Sequence, residues 1–457
     1  MIIFIIYVLY IKMSSKYLQI RPNNVPADGI IQFEGIPVLS FSIGSQNAML
    51  NPASIRIAGK LNIWANRGAS RSALVHPSSA TAPECMASEK LGIYGAFSQV
   101  VWRNSKSKQV CEHIRHYSRF MSSYLPVMSS SQDSHSHLST TALINPSAES
   151  FRVGVVRANS YNSFCCPLPT GMTLGGEQLF LGESGFGGLD CEVHLAPPQQ
   201  FFYSSDGTAT AIADCFYELE DVAIFCEVYI PPMDELSKLM KKTTGAFNFN
   251  SISSYMTTLE STNSIINFQL GLKRVISAFV NFVPSSFINN LAQNGYLTYF
   301  PAKADGSLVA VEDIAFLKNG ERFPYEYVVD ANIKNDPKVK VVDPQIIKEF
   351  ASAIIPEDRH TRTSISPVNT NRFFTAKNGK GAEATPTDYN KVPEGGPVYG
   401  VGVLYDMLDS DGVDFSTDAL TIQMNTSLDD ANPNSAYLFV KSKQTLAFSP
   451  DGVSVVS

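Results

Sequence analysis

The sequence predicts an all-β protein, mostly antiparallel and divided into two sandwich-sized halves. Three observations carry that expectation. Asn-Gly or Asp-Gly dipeptides recur at Asp28, Asp206, Asn294, Asp305, Asn319, Asn378, Asp411 and Asp451, and these residues tolerate the positive φ of tight turns. Between the turns, apolar residues recur with period two, the signature of strands wet on one face. Helical stripes are few and short, so there is no alternation of strand and helix to suggest a parallel sheet.

The elements follow in chain order. Residues 1–11 (MIIFIIYVLYI) are apolar but too short to span a bilayer, which takes about 20 residues. They lack the basic n-region and small-residue cleavage site of a secretion signal. Two readings stand for residues 1–26 as an N-terminal arm. Either translation starts at Met13 and residues 1–12 are not made, or the arm touches a membrane; a secretion signal ranks behind both. Residues 54–64 (SIRIAGKLNIW) alternate, with Ile55, Ile57, Leu61 and Ile63 on one face and Arg56, Lys60 and Asn62 on the other. Over residues 109–124, Val110, Ile114, Tyr117, Met121 and Tyr124 follow a helical spacing that Pro126 should stop. Residues 122–140 are serine-rich and include His135 and His137, so they read as an exposed loop, as does the Gly-rich stretch 171–188. Residues 189–195 alternate strictly, and Val222, Ile224, Cys226, Val228 and Ile230 repeat the pattern. Pro197, Pro198 and the Ser-Asp-Gly turn at 205–207 suggest a domain junction at 197–210. A short helix is expected over 231–242. Asp343 and Pro344 form an N-cap and N1 pair for another through about residue 355. Residues 355–397 read as long surface loops, and Leu420, Ile422 and Met424 as one more strand. The expected domains are therefore 1–26 (arm), 27–203 and 204–457.

Composition bounds the function. Apolar residues make up 44% of the 457, enough for sizeable cores. Charged residues are 17%, below the usual ~25%, which suits a subunit whose flanks are covered by neighbours. Lys and Arg number 35 against 42 Asp and Glu, a net charge of −7 that argues against a nucleic-acid coat. Cys85, Cys111, Cys165, Cys166, Cys191, Cys215 and Cys226 are odd in number and form no CxxC pair. They read as reduced, mostly buried thiols.

No motif reaches a chemistry. Gly400-Val-Gly402 lacks a third glycine and a following helix, and Asn378-Gly379-Lys380-Gly381 lacks the Ser or Thr and the upstream glycine of a P-loop. Ser184 fails as a nucleophile elbow because Phe186 stands where a glycine belongs. Cys111, His113 and His116 on the expected helix offer three metal ligands, without the fourth that a structural zinc site needs. Cys191 and His194, three apart on a strand, point to opposite faces. Asp409, Asp411 and Asp414 form an acidic turn with the wrong spacing for an EF-hand. The expectation is no catalytic residue, no cofactor and no metal site.

Four stretches together resemble one family. They are residues 50–61 (LNPASIRIAGKL); residues 95–101 (GAFSQVV) followed by Glu112-x-Ile114-x-x-Tyr117; residues 188–197 (GLDCEVHLAP); and residues 217–231 (YELEDVAIFCEVYIP). In order and spacing they resemble the double jelly-roll major capsid proteins of virophages, Polinton-like viruses and adintoviruses. The likeness covers about residues 52–301, with a compatible strand-rich C-terminus at 435–456. It implies two tandem eight-stranded antiparallel jelly rolls with short inserted helices and long loops. It pairs the helix at 109–124 with residues 270–288 as corresponding insertions in the two rolls. It implies a homotrimer of pseudo-sixfold outline tiling an icosahedral capsid, with a single jelly-roll penton protein at the vertices. It further implies a virion location, no sequence-specific nucleic-acid binding and no enzyme activity, and it leaves open contact with an internal membrane through the N-terminal arm. The alternatives are a carbohydrate-binding or carbohydrate-active β-sandwich, which needs convergent carboxylates and aromatics, and another virion protein such as a penton or fibre.

Overall fold

The computed structural model describes residues 14–64, 85–88, 91–128, 141–143, 162–175, 177–204, 209–242, 244–260, 265–296, 301–302, 309, 311–333, 344–356, 400–405, 411–426, 433–449 and 452–456. Eight strands build the first half: β1 (Ser14–Ile20), β2 (Val38–Ile43), β3 (Met49–Trp64), β4 (Phe97–Asn104), β5 (Val110–Ile114), β6 (Asn162–Pro167), β7 (Leu189–Leu195) and β8 (Phe216–Ile230). Eight more build the second: β9 (Gly245–Leu259), β10 (Ile265–Gln269), β11 (Leu272–Pro284), β12 (Val311–Lys318), β13 (Val329–Ile333), β14 (Val401–Leu404), β15 (Ala419–Thr426) and β16 (Asn434–Ser449).

The first half pairs them as β1-β8-β3-β6 and β2-β7-β4-β5, and the second as β9-β16-β11-β14 and β10-β15-β12, with β13 also on β12. Adding eight to each label of the first half yields the second. Each half is therefore a jelly roll, two four-stranded antiparallel sheets closed face to face, and the same permutation occurs twice in one chain. Short extra strands extend the sheets, such as Ile30–Gln32 on β8 and Gly452–Val456 on β16.

The alternation in the sequence explains the inner faces. Leu189, Cys191, Val193 and Leu195 of β7 are buried, while Asp190, Glu192 and His194 are half-buried on the other face. Leu420, Ile422 and Met424 of β15 are buried likewise. Of the cysteines, Cys111, Cys166, Cys191, Cys215 and Cys226 are buried and Cys165 is exposed, all as free thiols.

Four helices matter to the function: α1 (Tyr117–Met128), α2 (Gly171–Leu174), α3 (Met233–Lys241) and α4 (Pro344–Ile354). Helix α1 follows the fifth strand of the first roll, and α4 follows the fifth strand of the second. They are the equivalent insertions. Among the described residues no helix is long and apolar enough to cross a membrane.

Several expectations need correction. The expected helix at 109–124 is two elements: Val110–Ile114 is strand β5, and α1 begins only at Tyr117, after a turn in which His116 has φ 55°. Pro126 lies inside α1 rather than ending it. Ser122 and Ser123 are buried helical residues, not loop, while residues 129–140 lie outside the described residues. Within 171–188, Gly171–Leu174 is a buried-side helical turn. Residues 270–288 are not a counterpart of α1. They contain β11, whose two buried faces hide its strand period.

The expected limits at 26/27 and 203/204 also fall inside one sheet. β1 pairs along its length with β8, Ser14 opposite Ile230 and Ile20 opposite Ile224, so residues 14–20 are sheet rather than arm. β8 pairs with β3 as well. The proline and turn cluster at 197–210 marks the connection into the last strand of the first roll. The link between the rolls is α3, none of whose residues is buried. Residues 1–13 and 357–399 lie outside the described residues.

Candidate functional site

Two surfaces can serve assembly: the seam where the rolls meet, and the sheet face that the seam leaves open. The seam starts from Glu112 on β5. Its neighbour across the ladder is Trp102 of β4, whose indole N–H donates to the Thr170 hydroxyl at 3.0 Å. Thr170 caps α2 in a reciprocal capping box with Thr173. The free amides of that first turn, Gly171 N–H and Met172 N–H, donate to the two carboxyl oxygens of Glu112 at 2.9 and 3.0 Å. Ile252 N–H, from β9 of the second roll, donates to Oε1 at 2.8 Å. Only glycine fits at 171, because a Cβ there would strike the Asn250 carbonyl and the Glu112 carboxyl.

Strand β9 is the edge of its sheet, and unpaired edge amides invite aggregation. The first roll caps this edge. Asn248 N–H donates to Glu177 at 3.0 Å, Ile252 N–H to Glu112, and the Ser254 hydroxyl accepts from Arg115 N–H at 2.8 Å.

Helix α1 supplies the apolar part. Phe120 is fully buried, with ring centroids 6.2 Å from Phe279 of β11 and 5.7 Å from Phe439 of β16. Asn281 donates its amide to the Ser123 hydroxyl at 2.9 Å. The Arg119 guanidinium lies 4.4 Å over the Tyr296 ring and 5.5 Å over Tyr437, and donates to the Gly295 carbonyl. His116 packs edge-on against Tyr437 at 4.9 Å. Burial first, then Arg119 and Arg115, push its imidazole down to about 4. Helix α4 covers the rest of the same sheet, Phe350 against Phe279 at 6.0 Å, with the Ser277 hydroxyl donating to the Ala353 carbonyl at 2.6 Å. Both faces of β11 are thus dry from Val275 to Pro284.

Among the described residues, the equivalent face of the first roll has no such cover. Register puts Tyr17 of β1 beside Glu227 of β8, and Gln19 beside Phe225, which pairs with Arg56 of β3. Tyr17 is 75% exposed, Arg56 and Gln19 are exposed, and Phe225 is only half-buried. Met233, on the adjacent α3, is 76% exposed.

The candidate metal and nucleophile motifs come apart. Cys111 is buried with its thiol toward the Gln109 carbonyl at 3.7 Å, and burial pushes it up to about 12. His113 bonds Gln99 at 2.9 Å, while His116 faces the second roll. Among the described residues no cluster of three or more His, Cys, Asp or Glu could hold a metal ion. Ser184 donates to the Leu239 carbonyl at 3.4 Å in a turn. Cys191 is buried and His194 half-buried on opposite faces, as expected. Asp411 pairs with Arg274 at 3.7 Å and Asp414 accepts from Ser416 N–H at 2.7 Å, so they finish a turn. Asp409 and residues 378–381 lie outside the described residues. Gly400 and Gly402 have a packing reason: α4 rides directly on β14, and a Cβ at Gly402 would meet Phe350 Cα at 2.8 Å. A seam cavity of about 230 Å³, lined by Arg119, Gln200, Met256, Gln293, Tyr296 and Tyr437 among others, contains no carboxylate.

Sequence reasoning missed Glu112 as a joint. In the sequence it stands only within the Glu112-x-Ile114-x-x-Tyr117 stretch, where nothing marks it as a joint.

No protein-family model matches the chain, and no curated protein matches it. Solved structures do. A crystal structure of PBCV-1 VP54 fitted into a cryo-EM reconstruction of the virophage Sputnik aligns over 99% of this chain and 98% of its own, at 11% identity and TM-score 0.55. A quasi-atomic model of the PBCV-1 virus capsid covers 99% and 98%, at 10% identity and TM-score 0.55. The 3.5 Å cryo-EM structure of the Sputnik virophage covers 97% and 88%, at 10% identity and TM-score 0.55. The likeness extends over the whole tandem of rolls and establishes the double jelly-roll fold.

Proposed function

We propose that this chain is the major structural subunit of an icosahedral viral capsid, a homotrimer of six jelly rolls in a ring. The observation that carries the reading is the repeated strand permutation, two complete rolls in one chain, together with its likeness along nearly full length to chains of viral capsids. Within the chain, the first roll lays α1 on the outer sheet face of the second. That contact is head-to-tail, and a head-to-tail contact that repeats with closing rotation makes a ring. The open outer face of the first roll, around Tyr17, Gln19, Arg56 and Phe225, is the counterpart of the face that α1 covers. A neighbouring copy's second roll covers it, so three chains close six positions.

On strand pairing, the two rolls run from residue 14 to 230 and from 245 to 456, with α3 as the link. The protein acts in the virion shell, through contacts among trimers and with a separate single jelly-roll protein at the vertices. An internal membrane would be met through the N-terminal arm ahead of β1. The reading gives the chain no catalytic residue, cofactor or metal, and no sequence-specific nucleic-acid partner. The carbohydrate alternative needs convergent carboxylates, which the 230 Å³ seam cavity lacks.

Light scattering coupled to size-exclusion chromatography tests this. A particle of about 150 kDa, three times the 50.0 kDa chain, is expected. Stable monomer at micromolar concentration overturns it, because obligate interfaces of this kind bury thousands of Å².

A further inference from the structure

A further cavity in the seam, of about 320 Å³, is walled by both rolls. The first roll supplies Tyr124 and Met128 from the end of α1 and Leu174 from α2. The second supplies Ile252 of β9, Ile354 and Ile355 at the end of α4, and Lys441 of β16. We propose that this cavity binds a medium-chain acyl carboxylate, with the chain against the apolar walls and the carboxylate at Lys441.

The walls are apolar apart from Lys441 and Asn250, the pattern of a small-molecule site, in which a few polar groups stand among apolar ones. The mouth is apolar as well. Leu174 is 46% exposed and Met128 is 37% exposed, and both belong to the lining. Large apolar side chains left in water at a cavity mouth mark a way in for an apolar chain. The volume sets the length: at about 30 Å³ per heavy atom, the share of a water molecule in the liquid, it holds roughly ten.

Lys441 sets the head group. It is buried, stands opposite Ile252 across the ladder, and donates its ammonium to the Ile354 carbonyl at the C-terminal end of α4. A carboxylate brought to the same ammonium adds a charge-assisted hydrogen bond where water is largely excluded. The lining contains no Asp or Glu. Glu112 stands behind it, its two oxygens taken by the amides of Gly171, Met172 and Ile252. Because the walls come from both rolls, the ligand binds the docked pair and not the separated rolls, so binding tightens the seam. The site lies within one chain and stands independently of the capsid reading.

The test titrates the full chain with decanoate by isothermal calorimetry at neutral pH. Decanol serves as the chain without the charge, and acetate as the charge without the chain. The expected result is one saturable decanoate site per chain, decanol weaker by about tenfold or more, and no binding of acetate. Decanoate at about 100 times its Kd should also raise the midpoint of denaturant unfolding. In Leu174→Asp, a change at the exposed mouth, decanoate should bind about tenfold more weakly or worse, while unfolding without ligand stays as in the parent protein. Absence of saturable decanoate binding overturns the proposal. Equal affinity for decanol overturns the assignment of the carboxylate to Lys441, and unchanged binding in Leu174→Asp overturns the placement in this cavity.

Discussion

Phe120→Ala removes the ring that joins the rolls. Phe120 is fully buried and touches four aromatic neighbours, Tyr117 and Tyr124 on its own helix at 6.1 and 5.2 Å, and Phe279 and Phe439 of the second roll at 6.2 and 5.7 Å. Truncating a buried phenylalanine costs about 3–5 kcal/mol, the sum of lost transfer energy and the cavity left behind. The two cross-roll ring pairs should contribute about 0.5–1.5 kcal/mol each beyond area burial. The chain offers a convenient reporter, because its two tryptophans, Trp64 and Trp102, both sit in the first roll, on β3 and β4. Tryptophan fluorescence during denaturant unfolding follows that roll alone, whereas far-UV circular dichroism follows both. In the parent protein the two transitions should coincide. In Phe120→Ala the protein should lose about 3–5 kcal/mol and the two curves should separate, with the rolls unfolding independently. A double-mutant cycle with Phe439→Ala should give a coupling of about 1 kcal/mol. A total loss under about 1 kcal/mol, or no coupling in the cycle, would refute the view that α1 is the wedge that welds the rolls.

Three further outcomes are expected. Tyr17→Glu, on the open face of the first roll, should leave monomer stability within about 0.5 kcal/mol and weaken self-association at least tenfold, read by sedimentation velocity over a dilution series. Gly402→Ala should destabilise by about 1–3 kcal/mol in thermal or denaturant melts, because its Cβ meets backbone of α4 that has nowhere to move. His116→Asn, which keeps a residue tolerant of the left-handed φ of 55°, should flatten the acid limb of stability. His116 is held at about 4 in the folded chain against an ordinary 6.5, so its contribution is whole above pH 6.5 and is lost as pH falls toward 4, by at most about 3 kcal/mol; stability curves measured between pH 4 and 7 check this.

Much of the fold was legible, and the failures have physical causes. Residues 189–195 alternate because one face meets the core and the other meets water, and the strand stands there as read. Residues 109–124 misled because Val110, Ile114, Tyr117, Met121 and Tyr124 satisfy a helical spacing by chance across a strand, a left-handed turn at His116 and the start of α1. β11 escaped because its two faces are both buried, one by its own sandwich and one by α1 and α4, which erases the period of two. The prolines at 197 and 198 read as a boundary since turn chemistry marks any sharp connection, and only the pairing of β8 with β1 and β3 tells which side of a domain it lies on. Glu112 could not be read as a joint between the rolls, because its partners Gly171 and Ile252 lie 59 and 140 positions away. The open face of the first roll was invisible for the same reason: what distinguishes it from its counterpart is a helix from the other roll.

Cryo-electron microscopy of the purified, assembled protein tests the central claim most directly. Six jelly rolls in a ring from three chains are expected, with Tyr17 buried beneath the second roll of the adjacent copy. A lone chain, or an oligomer in which the Tyr17 face looks onto solvent, would contradict the account.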